Sequence, residues 1–253
     1  TKLYGPVKDR SDCASLQKDL NALSQWSKIW LLRFNAEKCV VLRVHSAITF
    51  FYSLNGTYLK EVSDQKDLGV LISNDLKPNK HVNYIISKAN QRIGIFKRCF
   101  SGFTKNKISI LYKSLIRPIL EYASTAWSPW FVRDISRLQK VQDRCLSLCV
   151  ESVKLESLAE RRNRCDLIDT YKYINNMYRT DPSNLFVKPL KQLRGHSHKL
   201  QKQHVRTDVA KFFFKNRVVD SWNNLEEKTV SASNTSTFKE RLKNFKRDRD
   251  PCP

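Results

Sequence analysis

Single aspartates are the side chains of the first 76 residues that could take part in metal-assisted chemistry. A two-metal site holds its ions close together and needs carboxylates that lie side by side. None of the following aspartates has a second one beside it, and each is predicted to lie at a helix cap, on a helix face or in a turn: Asp12, Asp19, Asp64, Asp67 and Asp75. The sequence therefore predicts no catalytic residue, no metal ligand and no cofactor in this chain.

Cysteine and histidine side chains offer one alternative, a zinc site. Cys145, Cys149 and Cys165 could combine with His196 and His198, but their spacing matches no structural zinc pattern. Cys99, Cys145 and Cys149 also fall on apolar positions of helical patterns, where a free cysteine packs as a small hydrophobe. We expect buried thiols at these three positions.

Positive charge is the strongest feature of the composition. The chain has 46 Lys and Arg against 24 Asp and Glu, a net charge of +22 and an isoelectric point near 9.8. Such a charge favours nucleic acid as the partner, although a merely basic surface is the alternative. The longest uncharged run, 46–59, is shorter than the roughly 20 apolar residues that span a bilayer. We expect no membrane partner and an intracellular protein, cytoplasmic or nuclear.

Hydrophobic periodicity predicts an α+β fold that is mostly helical. Residues 1–76 combine one helix, capped by Ser11 or Asp12, with short antiparallel strands around the hairpin signal Asn55-Gly56. The strands are predicted near residues 39–44, 49–54, 57–62 and 68–72. The helix is predicted to bury a stripe of apolar residues: Leu16, Leu20, Leu23, Trp26, Ile29 and Trp30.

Two further segments follow. Residues 77–150 predict a bundle of three amphipathic helices, the second of them kinked at Pro118 because proline has no amide donor. Residues 151–253 are basic and more irregular, with helices, loops and a loose tail after Phe245. Aromatic residues near its end recur at helical spacing and are predicted to be core rather than a stacking platform: Phe212, Phe213 and Trp222.

Clustered lysines and arginines mark two candidate nucleic-acid surfaces, since Lys and Arg release counterions from phosphates. The outer face of the first bundle helix carries Lys88, Arg92, Lys97 and Arg98. A later segment, predicted to be a solvated loop, carries Arg194, Lys199 and Lys202. His196 and His198 in that loop could touch phosphate, but loop histidines are more often simply solvated.

Several short motifs stand in a specific order: Lys66-Asp67-Leu68-Gly69-Val70-Leu71-Ile72, then Leu111 to Tyr122, Trp127-Ser128-Pro129, Arg217 to Leu225, and Ser236-Thr237-Phe238-Lys239. In this order they resemble the part of the jockey/CR1-like non-LTR retrotransposon reverse transcriptases that follows the catalytic core. Two departures accompany the resemblance. Glu226 replaces a proline of the family pattern, and the stretch between Val150 and Ser157 is shorter.

The resemblance implies a division into a palm remnant (1–76), a thumb-like bundle (77–150) and a basic C-terminal extension (151–253). It assigns Leu68, Gly69 and Val70 to a hairpin that grips the primer end. It also implies that the chain starts just after the Tyr/Phe-Ala-Asp-Asp motif whose aspartates hold magnesium. We therefore expect a fragment that binds RNA template and DNA primer, is inactive alone, and works with preceding polymerase and endonuclease regions.

Two other functions stay open at this point. The chain could be a non-catalytic, host-expressed remnant that binds RNA or DNA. It could also be a helical protein-interaction domain whose charge is incidental.

Overall fold

The structure is a computed structural model that describes residues 1–100, 102–149, 153–189 and 194–249, with side chains up to Phe245. It divides into two units, Thr1–His81 and Val82–Pro253. None of the helices in the described part of the chain is long and apolar enough to cross a membrane.

The first unit combines one long helix with short strands. The helix is α1 (Arg10–Ile29), and a 3-10 turn follows at Ala36–Lys38. The strands are β1 (Val40–Leu42), β2 (Ser53–Leu54), β3 (Thr57–Tyr58), β4 (Lys60–Val62), β5 (Asp64–Asp67) and β6 (Val70–Ser73).

Three two-stranded sheets are formed by these strands. The pairs β2–β3 and β5–β6 are antiparallel, as expected from the sequence. Asn55 and Gly56 form the two-residue turn of the first hairpin with φ of 52° and 80°, the geometry that a type I′ turn requires. The pair β1–β4 is parallel, with Val40 opposite Lys60, so the expectation of antiparallel strands throughout was wrong.

Helix α1 covers only part of the stripe that periodicity predicts: Leu16, Leu20 and Leu23 are half-buried, and its most buried positions are others. It begins after Asp9, which forms a capping box with Asp12. The side chain of Gln17 bonds both the amide and the carbonyl of Ser53, at 2.9 Å each, and thereby docks the helix on the β2–β3 hairpin. The buried positions on this side are Cys13, Ser24 and Ser27.

The apolar residues at the end of α1 lie on the other side. Trp26, Ile29 and Trp30 are 46%, 78% and 65% exposed, so their assignment to the core was wrong. The reason is that small and polar side chains, rather than the large apolar ones, fit against the hairpin.

The second unit is helical. Its helices are α2 (Asn79–Cys99, which begins in the first unit), α3 (Lys105–Leu111), α4 (Arg117–Glu121), α5 (Ser124–Trp127), α6 (Val132–Leu146), α7 (Leu158–Ile174), α8 (Asp208–Phe212), α9 (Phe214–Asn223), α10 (Glu227–Val230) and α11 (Thr235–Arg249).

A π-helical turn at Tyr112–Ile116 joins α3 to α4 where the sequence predicted a kink at Pro118. Pro118 cannot donate the usual hydrogen bond to the preceding turn, and the wider π turn lies just before it. Buried residues recur every four positions through this segment: Ile108, Tyr112, Ile116 and Leu120.

The C-terminal part has its own hydrophobic core, centred on Trp222, which is completely buried. Tyr171 of α7 and Phe238 of α11 stack at 4.4 Å, and Phe238 also contacts Trp222. Helix α11 continues to Arg249, so the expectation of a loose tail directly after Phe245 was wrong. This part of the chain is better ordered than its irregular sequence indicated.

Arginines hold the second unit together through buried ion pairs. Arg217 donates to both carboxylate oxygens of Asp166, at 2.8 and 2.9 Å, and to the carbonyl oxygens of Thr125 and Phe212. Burial raises the pKa of Asp166, although the Arg217 guanidinium acts against that rise.

Candidate nucleic-acid interface

The motif Leu68-Gly69-Val70 lies at the tip of the β5–β6 hairpin. Leu68 and Gly69 form its two-residue turn, with φ of 43° and 90°, and strand β6 begins at Val70. The sequence had placed Leu68 in a strand, but it lies at the turn and is 82% exposed. A leucine with positive φ is uncommon, and the side chain at the tip is presented outward.

His81 fixes the base of this hairpin. Its imidazole is 2% exposed, and Nδ1 accepts a hydrogen bond of 3.1 Å from the backbone amide of Leu71 in β6. Burial, together with the charge of Lys66, lowers the pKa of His81 to about 4, so the ring is neutral at physiological pH. The hairpin and the first turn of α2 are thereby joined.

Three aspartates of the first unit are engaged in ion pairs or backbone hydrogen bonds. Asp67 pairs with Lys2, Asp64 with Lys80 at 2.7 Å, and Asp12 bonds the backbone before α1. Within the described ranges, no group of three or more His, Cys, Asp or Glu side chains is arranged to hold a metal ion.

Helix α2 carries four exposed cations, but not on one face. At 100° per residue, Lys88, Arg92 and Arg98 share one side of the helix with Tyr84, whose ring lies 5.1 Å from the Lys88 ammonium. Lys97 lies on the opposite flank. We call Lys88, Arg92 and Arg98 the α2 basic flank.

The part of the chain that contains α2, α3 and α4 has a further property, which was not predicted from the sequence. Between Asp75 and Glu121 the chain has no Asp or Glu and ten Lys or Arg. Three of these cations, Lys105, Lys107 and Lys113, are exposed on the α3–α4 segment. A count of acidic residues in a sliding window would have revealed the stretch.

The second basic segment, 194–204, is held tightly against α9 rather than solvated. The Trp222 indole donates to the carbonyl of His198 at 2.7 Å, and Asn223 bonds both the amide and the carbonyl of Leu200. Ser197 donates its amide and hydroxyl to Glu227. The expectation of a solvated loop was therefore wrong for the backbone of this segment.

His196 is buried in the same clamp and is not positioned to touch phosphate. Its Nε2 lies 3.0 Å from the carbonyl oxygen of Trp222, so this nitrogen carries the proton and donates it. Burial lowers the pKa of His196, although the hydrogen bond to the Trp222 carbonyl acts in the opposite direction. The idea that His196 is either solvated or bound to phosphate was wrong.

The three cations of this segment differ in their surroundings. Arg194 is exposed, the stem of Lys199 lies over Gly195, and Lys202 pairs with Asp220. Gly195 has φ of 117°, a backbone conformation that residues with a Cβ rarely adopt, which explains the glycine. Arg194 and Lys199 are thus the cations of this segment whose charge no described carboxylate neutralises.

The zinc candidates are not assembled. Cys145 and Cys149 are buried as expected, Cys165 is half-buried, and His196 is hydrogen-bonded to the Trp222 carbonyl. Cys99 is exposed, so its assignment to an apolar core position was wrong. Burial raises the pKa of Cys145 to about 11, so its thiol is protonated.

Three curated proteins are similar to part of this chain. A probable RNA-directed DNA polymerase from transposon BS of Drosophila melanogaster is 26% identical over 138 residues, 52% of the chain. RNA-directed DNA polymerases from the mobile element jockey of Drosophila melanogaster and Drosophila funebris are each 25% identical, over 140 and 139 residues. Each match covers 15% of the relative's own length.

No family model and no solved structure matches the chain. The similarity to three transposon polymerases agrees with the order of short motifs read from the sequence. The chain therefore contains a region related to the RNA-directed DNA polymerases of jockey-like non-LTR retrotransposons.

Proposed function

We propose that this chain binds the primer–template duplex for an RNA-directed DNA polymerase, while the magnesium-binding aspartates of synthesis lie outside it. The observation that carries this proposal is the acid-free stretch from Asp75 to Glu121, in a chain related to polymerases that copy RNA. A duplex is a dense line of negative charge, and a helix whose exposed charged side chains are all cations suits it.

The α2 basic flank is the main contact in this proposal. Lys88 and Arg98 are ten positions apart, so the flank extends roughly 15 Å along the helix and can meet several phosphates. Arg194 and Lys199 form a second contact with the phosphates. Lys202 contributes less to this contact, because it forms an ion pair with Asp220. In this assignment the first unit is the palm edge, and the second unit begins with the thumb.

The tip of the β5–β6 hairpin has a different role in the proposal. Leu68, Gly69 and Val70 bear no charge, so they would position the primer end through backbone and apolar contact. The anchor from His81 to Leu71 supports this role, because a rigid hairpin can hold a strand end in register.

Neutralising the α2 basic flank tests the proposal. The triple variant Lys88→Gln, Arg92→Gln, Arg98→Gln should bind an RNA–DNA hybrid about tenfold or more weakly at moderate salt, because three phosphate contacts are lost. The slope of log affinity against log salt should fall by about three. Fluorescence anisotropy over a salt series measures both quantities.

A matched triple variant serves as the control. Lys18→Gln, Lys38→Gln, Lys60→Gln removes the same charge from exposed positions of the first unit. Equal losses in the two variants would mean that affinity is spread over all excess charge without a defined face. If the wild-type chain does not bind at low salt, the nucleic-acid function is wrong and a protein-interaction domain is favoured.

A further inference from the structure

Three aromatic rings form a row where α6 begins. Trp130 is in the middle, with the Phe131 ring centroid at 5.4 Å and the Phe212 ring centroid at 5.5 Å. The rings of Trp130 and Phe212 are parallel to within 4°. Residues far apart in the sequence thus build one aromatic surface, which we call the ring row.

The ring row is open to solvent at one end. Phe131 is 44% exposed, its neighbour Val132 is 81% exposed, and Trp130 and Phe212 are half-buried. The sequence had placed Phe212 and Phe213 in the core, but Phe213 is also 45% exposed, and Phe214 is the buried one. Aromatic rings that lie against one another with one end exposed offer a flat apolar surface on which a ligand can stack.

Two cations lie close to members of the ring row in space or in sequence. The ammonium of Lys211 lies 5.4 Å from the centre of the Phe212 ring, and Arg133, two positions after Phe131, has a side chain that is 76% exposed. The acidic neighbour Asp134 is completely buried, and Arg137 at 3.3 Å and Arg133 at 3.5 Å share one of its oxygens. Most of the Arg133 side chain nevertheless faces solvent. The ligand that fits is therefore flat and apolar in one part and anionic in another.

We propose that the ring row, with Lys211 and Arg133, binds unpaired nucleotides of single-stranded RNA or DNA by stacking on their bases. Every base has a π face that stacks on an aromatic ring, and the phosphates beside it pair with the cations. The inference rests on the proposed function, since both require nucleic acid. It adds a second contact surface, for single strands, that works through bases rather than through phosphate charge alone.

The test compares two oligonucleotides with the same backbone. One carries thymine at every position, and the other is abasic throughout. The wild-type chain should bind the thymine oligonucleotide about tenfold more tightly. Because stacking releases few ions, this ratio should stay nearly constant as salt is raised, while both affinities fall.

Substitutions of Phe131, at the exposed end of the ring row, test whether the ring row causes the difference in affinity between the two oligonucleotides. Phe131→Ala and Phe131→Leu should reduce the ratio to near one, whereas Phe131→Tyr should keep it, because Tyr retains a ring and Leu retains only apolar area. Phe51→Ala, which removes a 75% exposed ring from the first unit, is the control and should leave the ratio unchanged.

The outcomes separate the two proposals. Equal binding of the two oligonucleotides by the wild-type chain overturns the stacking site but leaves phosphate binding intact. Full retention of the ratio by Phe131→Leu would indicate a general apolar face, suited to a protein, and would also overturn it. Failure of the wild-type chain to bind the abasic oligonucleotide at low salt contradicts the proposed phosphate contacts instead.

Discussion

His81 is a single side chain on which the geometry of the β5–β6 hairpin depends. Its Nδ1 must be unprotonated to accept the amide of Leu71, and burial maintains that state by lowering the pKa to about 4. An unfolded chain has a histidine pKa of about 6.5. Stability should therefore depend on pH in a defined window.

Above pH 6.5 neither the folded nor the unfolded state protonates His81, so it contributes no pH dependence. As pH falls from 6.5 to 4, the unfolded state takes up the proton first, and the free energy of unfolding should fall by up to about 3 kcal/mol. His81→Asn keeps a hydrogen-bond acceptor but removes the titration, so its unfolding free energy should change less over this window.

Urea denaturation at several pH values measures this difference. His45→Asn, at an exposed position, is the control and should show the wild-type dependence. If the wild type and His81→Asn have parallel profiles between pH 4 and 6.5, His81 is not held neutral by burial.

Single residues also show what the sequence could and could not reveal. Asn55-Gly56 was identified as a turn because both residues tolerate positive φ. Leu68-Gly69 adopts the same turn but was missed, because leucine rarely does so. His196 was misjudged because only the folded chain brings it to the Trp222 carbonyl, 26 positions away.

Among the secondary-structure elements, helix α1 shows why a stripe of apolar residues does not by itself reveal which side of a helix is buried. Periodicity predicted the helix correctly, but the stripe through Trp26, Ile29 and Trp30 faces outward, and the buried side is the one that meets β2. Which side of a helix is covered depends on residues distant in sequence, here Ser53 and Asn55. Likewise, Pro118 predicted an irregular helix, but not that the irregularity would be a π turn.

The orientation of α1 predicts that two substitutions in the first unit lower the free energy of unfolding by different amounts. Leu54→Ala should lower the free energy of unfolding by about 2–4 kcal/mol, because Leu54 is 3% exposed and its removal leaves a cavity. Trp30→Ser, at a position 65% exposed, should change it by less than about 1 kcal/mol. Chemical denaturation of both variants tests the orientation of α1, and a larger loss from Trp30→Ser would show that its stripe is covered.

For the whole molecule, net charge overstates the number of cations that are available for a ligand. Arg161 pairs with Glu121 and Arg217 with Asp166, so these arginines stabilise the helical unit. Arg162 is 3% exposed, and burial lowers its pKa to about 10. Composition predicted a basic protein, but only the fold separates structural arginines from the exposed cations of α2.

The clamp of segment 194–204 against α9 has a consequence for proteolysis. The segment is rich in lysine, yet its backbone is held by Asn223, by Glu227 and by the bond from the Gln201 amide to Val187. A protease must pull the chain out of such contacts before it can cleave. Trypsin should therefore cut after Lys199 and Lys202 much more slowly than after Arg179, which is exposed beyond the end of α7.

Asn223→Ala removes both side-chain bonds to Leu200 and should speed cleavage after Lys199 and Lys202 several-fold, while leaving the rate after Arg179 unchanged. Mass spectrometry of timed digests distinguishes the three sites. Rapid cleavage of the wild type after Lys199 would mean that the clamp opens readily. If the segment resists trypsin although it contains Lys199 and Lys202, the contacts centred on Trp222 hold its backbone in place.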